Sequence, residues 1–347
     1  MNRAWMASLV SCVALAAGAV VAMGVALSGS GCEKPSGGTA GSGAGGEKAA
    51  GKRYKIGVSV PAADHGWTAG VGWWAKRAME LNPHVEWVYA TATGPSDQIG
   101  DLDDMLTKGI DGLVILATES APLTPAAKKV KSQGVFIVNV DRGFVEPGIA
   151  DVFLEGDNKA FGRTSARFVA DRMRKEGRTN LVILTGIPST VDTDRVTAGR
   201  EVFAQYPEIR ILDQQPAMWN RQRGLEVMQN LLTKHEKIDA VWAQDDDIMM
   251  GAIQAVKEAG REKEMWMVGG AGMKEAVKMV MDRDPMVPAN ITYPPSMIAA
   301  GIQMAAGLVS SGRPGEVLRY MPKHLMIDVE LITPENAKDY YFPESVY

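Results

Sequence analysis

The clearest indication of the fold lies between Asp213 and Gly260, where the chain has the sequence DQQPAMWNRQRGLEVMQNLLTKHEKIDAVWAQDDDIMMGAIQAVKEAG. Apolar residues recur at helical spacing from Arg221 to Leu232, whereas Ile238 to Ala243 is a short apolar run of strand length. A second helical pattern follows at once, from Ile248 to Ala259. A helix, a strand and a helix in direct succession predict an α/β unit built on a parallel sheet.

Polar and aromatic residues lie where these elements join. Asp245 belongs to the run that links the strand to the second helix, and Trp219 ends the loop before the first helix. Because ligands of open α/β sheets bind at the carboxyl ends of strands, we expect Trp219 and Asp245 to share one crevice that suits a polyhydroxylated ligand. The alternatives are a core position for Trp219 and helix capping for Asp246 and Asp247.

The segments QPAMWNRQRGLEVMQNLLT and AVWAQDDDIMMGAIQAVKEAG resemble the corresponding segments of the type I periplasmic sugar-binding proteins, of which ribose-binding protein is one. A looser likeness covers the chain after about Tyr54. The resemblance implies an α/β fold of two doubly wound parallel-sheet lobes joined by a three-segment hinge. The N-terminal lobe is then 54–155 plus 294–325, and the C-terminal lobe is 156–293 plus 326–347.

The amino terminus carries an export pattern. After Arg3 no charged residue follows until Glu33, and small residues precede Cys32. This resembles a bacterial lipoprotein cleavage site, so we predict a signal peptide over 1–31, lipidation of Cys32 and a flexible Gly/Ser/Ala linker over 32–53. The alternatives are an uncleaved membrane anchor and ordinary secretion. All three place the folded part outside the cytoplasm, in the periplasm or at the cell surface.

Composition excludes several classes of function. The 347 residues are enough for two domains with separate cores. A net charge of -4 without a basic stripe excludes a nucleic-acid-binding surface. The four histidines lack metal-ligand spacing, there is no G-x-S-x-G elbow, and the only cysteine besides Cys32 is Cys12, inside the signal. We therefore expect no metal, no cofactor and no enzymatic activity.

The first strand, Lys55 to Val60, is followed by the loop PAADHGW. A first strand-to-helix loop points into the crevice, and Asp64, His65 and Trp67 in it have no evident core partner. In the family this loop carries ligand-contacting polar and aromatic residues, so the resemblance implies that these three bind the ligand. Trp67 would then cover one face of a sugar and Trp219 the other, although simple packing of Trp67 remains the alternative.

Two further strand ends carry candidate binding residues. Asp141 and Arg142 follow the strand that ends at Val140, where a carboxylate and a guanidinium suit adjacent hydroxyls, although a local ion pair is the alternative. The resemblance favours binding, because VFIVNVDR matches a family segment whose Asp-Arg pair grips the sugar. The family also has a ligand-binding arginine on a later helix, where Arg195 matches better than Arg200.

Three positions depart from the ribose binders. Ala271 stands where those proteins have an aspartate, Tyr293 where they have a glutamine and Asp245 where they have an asparagine. We count Tyr293 and Asp245 among the ligand-binding residues. The departures argue against assuming ribose, so the predicted ligand is a monosaccharide or a related polyol.

The resemblance implies that the two lobes close on this ligand and that an ABC import permease, energised by a separate ATPase, recognises the closed form. We expect the binding protein itself to be a monomer. A sensor of a sugar or of an autoinducer-2-like signal, docking on a receptor, is the alternative. A glycoside-processing enzyme that uses paired carboxylates is a more distant one.

Overall fold

The computed structural model describes residues 53–347, so the predicted signal peptide, Cys32 and nearly all of the predicted linker lie outside the described residues. The strands in chain order are β1 (Lys55–Pro61), β2 (Glu86–Ala92), β3 (Gly112–Ile115), β4 (Phe136–Val140), β5 (Val152–Gly156), β6 (Asn180–Thr185), β7 (Arg210–Pro216), β8 (Ala240–Ala243), β9 (Trp266–Val268), β10 (Asn290–Ile291), β11 (His324–Ile327) and β12 (Leu331–Ile332).

Helices connect most of these strands. They are α1 (Gly66–Glu80), α2 (Pro95–Thr107), α3 (Ser120–Ser132), α4 (Asn158–Glu176), α5 (Thr190–Phe203), α6 (Arg221–Lys234), α7 (Asp246–Glu258), α8 (Lys274–Met281), α9 (Met297–Ser310), the short α10 (Pro314–Val317) and a 3₁₀ helix (Ala337–Tyr340). Within residues 53–347, none of the helices combines the length and the apolar character that crossing a membrane requires.

The first sheet has the strand order β11-β5-β4-β3-β1-β2, and all of its neighbouring strands are parallel. Strands β3 and β4 are buried over their whole length, and β1 is buried after its first residue. This burial is expected for a parallel sheet with helices on both faces. Because β2 and β3 lie on opposite sides of β1, a crevice opens at the carboxyl ends of β1 and β3.

The second sheet repeats this arrangement with the order β7-β6-β8-β9, again parallel throughout. The chain leaves β6 toward β7 on one side and continues to β8 on the other, which places a second crevice at the ends of β6 and β8. The predicted helix–strand–helix order of the stretch 213–260 is confirmed by α6, β8 and α7. Helix α7 begins two residues before the predicted start because Asp245 caps it.

Three segments connect the two sheets. The chain passes from β5 into α4 at Asp157, from β10 into α9 through 292–296, and from β11 to β12 through 328–330. Strands β10 and β12 pair antiparallel and bring the second and third segments together. The predicted α/β fold with two parallel-sheet lobes is confirmed. The predicted lobe limits stay a prediction, and β11, which pairs with β5, runs across the limit between 325 and 326.

Candidate functional site

A narrow cavity lies where the strand ends of the two sheets face each other. Its wall combines residues of both lobes and of the hinge: His65, Trp67, Asp141, Arg142, Val191, Arg195, Trp219, Asp245, Ala271 and Tyr293. The structure thus brings together every residue predicted to bind ligand except Asp64. A wider groove along α4 is lined mostly by charged side chains of one helix face, and it lacks this convergence of elements.

The loop after β1 forms one wall of the cavity. His65 precedes the first residue of α1, and its Nδ1 lies 2.7 Å from the carboxylate of Asp64, which also accepts a hydrogen bond from the Thr68 hydroxyl. Asp64 itself does not line the cavity, and its side chain is 64% exposed. Burial alone raises the pKa of Asp64, but the hydrogen bonds with His65 and Thr68 outweigh it and hold the pKa at about 2. The position of Asp64 is therefore suited to orienting His65.

Trp67 and Tyr293 link the first lobe to the hinge. The indole Nε1 of Trp67 donates to the carbonyl oxygen of Tyr293 at 2.9 Å. The hydroxyl of Tyr293 donates to Asp141 at 2.5 Å and accepts from the side-chain amide of Asn158 at 3.1 Å. Burial, together with the charge of Asp141, raises the pKa of the Tyr293 hydroxyl well above its usual value. Tyr293 is therefore a neutral donor that joins a first-lobe carboxylate to a residue at the start of α4.

Asp141 and Arg142 follow β4 and are both buried. Asp141 has a positive φ of 64°, an uncommon conformation for a residue other than glycine. Arg142 donates through Nη1 to the carbonyl oxygens of Ala117 and Thr118. Its Nε is 3.8 Å from Asp141 and, among the described residues, has no hydrogen-bond partner. The two side chains are thus near one another without forming a close ion pair, and a buried donor remains at the cavity wall.

Trp219 forms part of the opposite wall, after β7. It has a positive φ of 52°, and its ring lies 5.4 Å from the guanidinium carbon of Arg142. The indole packs directly on the backbone of Gly186, which follows β6. Its Nε1 is a second buried donor without a partner in the described part of the chain. Buried donors are rarely left unpaired, so the wall is prepared for a ligand that offers acceptor oxygens.

Arg195 and Asp245 complete the second-lobe side. Arg195 donates from Nε to Asn158 and from Nη1 to the carbonyl oxygen of Gln244, both at 2.9 Å. Asp245 accepts from the amide of Ile248 at 3.2 Å, so it caps α7 while also lining the cavity. Burial raises the pKa of Asp245 to about 6, against the opposing effect of the nearby His65. Arg200, the weaker match in the sequence, instead contacts Gln214 in an exposed position.

The periplasmic binding protein domain matches residues 56–314 of the chain. The chain belongs to the periplasmic binding protein family. Membership in this family implies that the folded part of the protein is extracytoplasmic. It also accounts for a ligand cavity formed between two parallel-sheet lobes.

Several characterised proteins resemble this periplasmic binding protein. It is 30% identical over 218 residues to the ribose import binding protein of Bacillus subtilis (strain 168), a match that covers 63% of this chain and 69% of the relative. It is 28% identical over 257 residues to the xylitol-binding protein of Mycolicibacterium smegmatis (strain ATCC 700084 / mc(2)155), covering 73% and 70%. Both relatives are named as binding proteins rather than enzymes.

Solved structures of other solute-binding proteins also superimpose on this chain. A solute-binding protein of an ABC transporter from Mycobacterium smegmatis, with bound glycerol, superimposes with a TM-score of 0.76 at 26% identity and covers 85% of this chain and 99% of that one. The fructose-binding periplasmic domain of a hybrid two-component system superimposes with a TM-score of 0.73 at 28% identity, covering 83% and 93%.

Sequence reasoning missed two contributors to the site of this binding protein. Val191, in the first turn of α5, lines the cavity as a small apolar surface. Asn158 is buried at the start of α4, where its side chain holds both Arg195 and Tyr293. The signal for Asn158 in the sequence is its place shortly after β5, next to the limit between the two predicted lobes.

The cavity combines three aromatic side chains of Trp and Tyr, two guanidinium groups and two carboxylates. Guanidinium groups donate and carboxylates accept hydrogen bonds, which matches the mixed needs of neighbouring hydroxyl groups. Aromatic faces suit the apolar C–H surface of a sugar or polyol. Within residues 53–347 there is no cluster of three or more His, Cys, Asp or Glu side chains that suits a metal ion. The arrangement is therefore equipped to bind a small hydroxylated molecule.

Proposed function

We propose that this protein captures a monosaccharide or a related polyol between two closing lobes and delivers it to an ABC import permease with a separate ATPase. The main support is the cavity, where Arg142 and Trp219 offer buried, unpaired donors beside the carboxylates of Asp141 and Asp245. The names of the relatives, which bind ribose, xylitol and allose, agree with this ligand class. Tyr293 and His65 complete the proposed set of contacts, with Trp67 and Arg195.

The ligand class is tested by a thermal-shift screen of pentoses, hexoses, deoxysugars and polyols, on protein first freed of co-purified ligand. A ligand at about a hundred times its Kd adds roughly 2.7 kcal/mol to the free energy of unfolding. For a chain of this size that moves the midpoint by several degrees. A shift with one compound or a close group supports the proposal, and no shift with any of them contradicts it.

We further propose that Cys32 is lipidated and anchors a monomeric protein to the membrane through the flexible linker 32–53. The support is the sequence pattern of small residues before the cysteine. Mass spectrometry of the protein extracted from membranes should find Cys32 as the first residue, carrying acyl chains. An intact segment 1–31 would favour an uncleaved anchor instead.

A second candidate function is sensing, in which the closed form docks on a receptor rather than a permease. It has specific support in the likeness to a periplasmic domain of a two-component system. Cells that lack this protein distinguish transport from sensing. Loss of uptake of the radiolabelled ligand supports transport, whereas normal uptake with loss of the transcriptional response supports sensing. Turnover of glycosides by the purified protein would instead support an enzyme.

A further inference from the structure

The three consecutive aspartates at the start of α7 have three different sets of partners. Asp245 caps α7 and lines the cavity. Asp246 is completely buried and accepts hydrogen bonds from Asn290 and from the amide of Met273, all within the second lobe. Asp247 contacts the other lobe. Of the three, only Asp245 lines the cavity. The contact of Asp247 with the other lobe therefore needs an explanation other than ligand binding.

Asp247 accepts a hydrogen bond across the cleft. Its Oδ2 lies 2.7 Å from the backbone nitrogen of Gly66, the first residue of α1 in the first lobe. The first N–H groups of a helix have no partner within that helix and carry a partial positive charge, so a carboxylate is a favourable acceptor there. Asp247 is buried, which limits competition from water. The N-terminus of a first-lobe helix is therefore capped by a carboxylate of the second lobe.

The second lobe holds this carboxylate in place. The Nε of Arg221, on α6, lies 3.3 Å from Oδ1 of Asp247, and its Nη2 donates to Glu275 on α8. These partners move with the second lobe. Separation of the lobes would leave the contact with Arg221 in place and break the contact with Gly66, because only Gly66 lies in the first lobe.

The close approach depends on glycine at position 66. A Cβ at this residue would lie 2.9 Å from Oδ2 of Asp247 and 2.9 Å from the ring of Tyr347. Its backbone conformation is not one that excludes other residues, since no positive φ is found there. The absence of a side chain is thus required by the contact across the cleft rather than by the conformation of the loop.

We propose that Asp247 is a latch for lobe closure, which stabilises the closed form through Gly66 without contacting the ligand. Asp247 does not line the cavity. A group that favours the closed form alone raises the affinity for every ligand that requires closure by the same factor. The latch rests on the proposed function, because it acts on the closure that traps the ligand. Asp247 is accordingly a positioning residue and not a determinant of ligand choice.

Calorimetric titration of the full chain with D-ribose, D-allose and xylitol tests the latch. Asp247→Asn keeps the shape of the side chain and removes its charge, and we expect it to raise every measurable Kd by about five- to tenfold. The ratios of Kd among the sugars should stay unchanged. Gly66→Ala should raise the same Kd values, because its methyl group blocks the approach. Glu258→Gln, at the exposed end of the same helix and away from Arg221, is the matched control, and it should leave every Kd unchanged.

Two results would overturn the latch. The first is wild-type affinity for the sugars in both Asp247→Asn and Gly66→Ala. The second is a loss of affinity for one sugar only, which would mean that Asp247 contacts the ligand. If the wild-type protein binds none of the three sugars, the latch is tested without ligand, and the proposed function is judged by the wider thermal-shift screen. Hydrogen exchange of the peptide that contains Gly66 then decides, because faster exchange in Asp247→Asn supports the latch and equal exchange refutes it.

Discussion

The position of the Trp219 indole depends on Gly186, and replacing this glycine by alanine tests whether the indole forms a wall of the binding site. A Cβ at position 186 would lie 2.0 Å from Cε2 and Nε1 of the indole. Carbon atoms pack best at about 3.5 Å, so the indole must move by roughly 1.5 Å. It lies between Gly186 and the cavity, and we expect it to move into the cavity.

In the ligand-bound protein the ligand occupies the part of the cavity into which the indole must move. The free-energy cost of the movement therefore falls mainly on the bound state. Overpacking of a well-packed site costs about 1 to 3 kcal/mol. If this strain falls on the bound state, Gly186→Ala weakens ligand affinity by about five- to 150-fold. In the ligand-free protein no ligand opposes the shift of the indole toward the cavity, so the thermal midpoint should change less than the affinity.

Isothermal titration with the ligand found by the screen measures the effect, and a thermal melt of the ligand-free protein measures stability. Gly100→Ala on α2 is the matched control, because a Cβ at that position meets no other atom within 4 Å. This control should keep wild-type affinity and gain slight stability from the better helix former. Unchanged affinity in Gly186→Ala would refute the assignment of Trp219 to the wall.

Two other predictions concern charge in the cavity. Burial lowers the pKa of His65, but the hydrogen bond with Asp64 and the carboxylates of Asp245 and Asp247 outweigh it and raise the pKa above 6.5. Since the pKa of Asp245 is raised as well, to about 6, the stability that both groups add is present at low pH and lost as the pH rises. The thermal midpoint of the wild-type protein should therefore decrease as the pH rises from about 4 to about 8. Above about pH 6.5 this decrease should be smaller in His65→Gln. A midpoint that increases over this pH range would contradict the pKa directions. Arg195→Lys should weaken ligand binding at least tenfold by titration, because one ammonium group cannot keep the planar geometry of the guanidinium, and wild-type affinity would remove Arg195 from the site.

The fold follows from local sequence pattern, and part of the cavity wall does as well. Strand ends of a parallel sheet meet at one edge, which predicts that Trp219 after β7 and Asp245 after β8 share a crevice. For Asp141 the spacing alone leaves a local ion pair open, and the resemblance to sugar-binding proteins favours the cavity. The resemblance to sugar-binding proteins added Arg195, whose choice over Arg200 agrees with the cavity lining. The position of the first strand-to-helix loop predicts that His65 and Trp67 lie near the crevice, and the resemblance implies that they bind the ligand.

What the sequence did not reveal are contacts between residues far apart in the chain. Asn158 joins Arg195 to Tyr293, and no periodicity indicates that an asparagine at a helix start faces an arginine on another helix. Asp247 was interpreted as a possible cap of its own helix, but its carboxylate binds the N-terminus of α1 instead. Capping preferences identify an acceptor near a helix start, but only the packed lobes determine which helix it serves.

Three residues of the cavity wall have strained backbone conformations, and this strain matters for protein engineering. Asp141, Trp219 and Ala271 all have positive φ, at 64°, 52° and 111°, and each such residue costs of order 1 to 3 kcal/mol. Glycine would relieve this strain, because it adopts these conformations without steric cost. At positions 141 and 219 such a gain would remove a carboxylate or an indole from the cavity. A thermostable biosensor built on this scaffold should therefore seek its stability away from these strand ends.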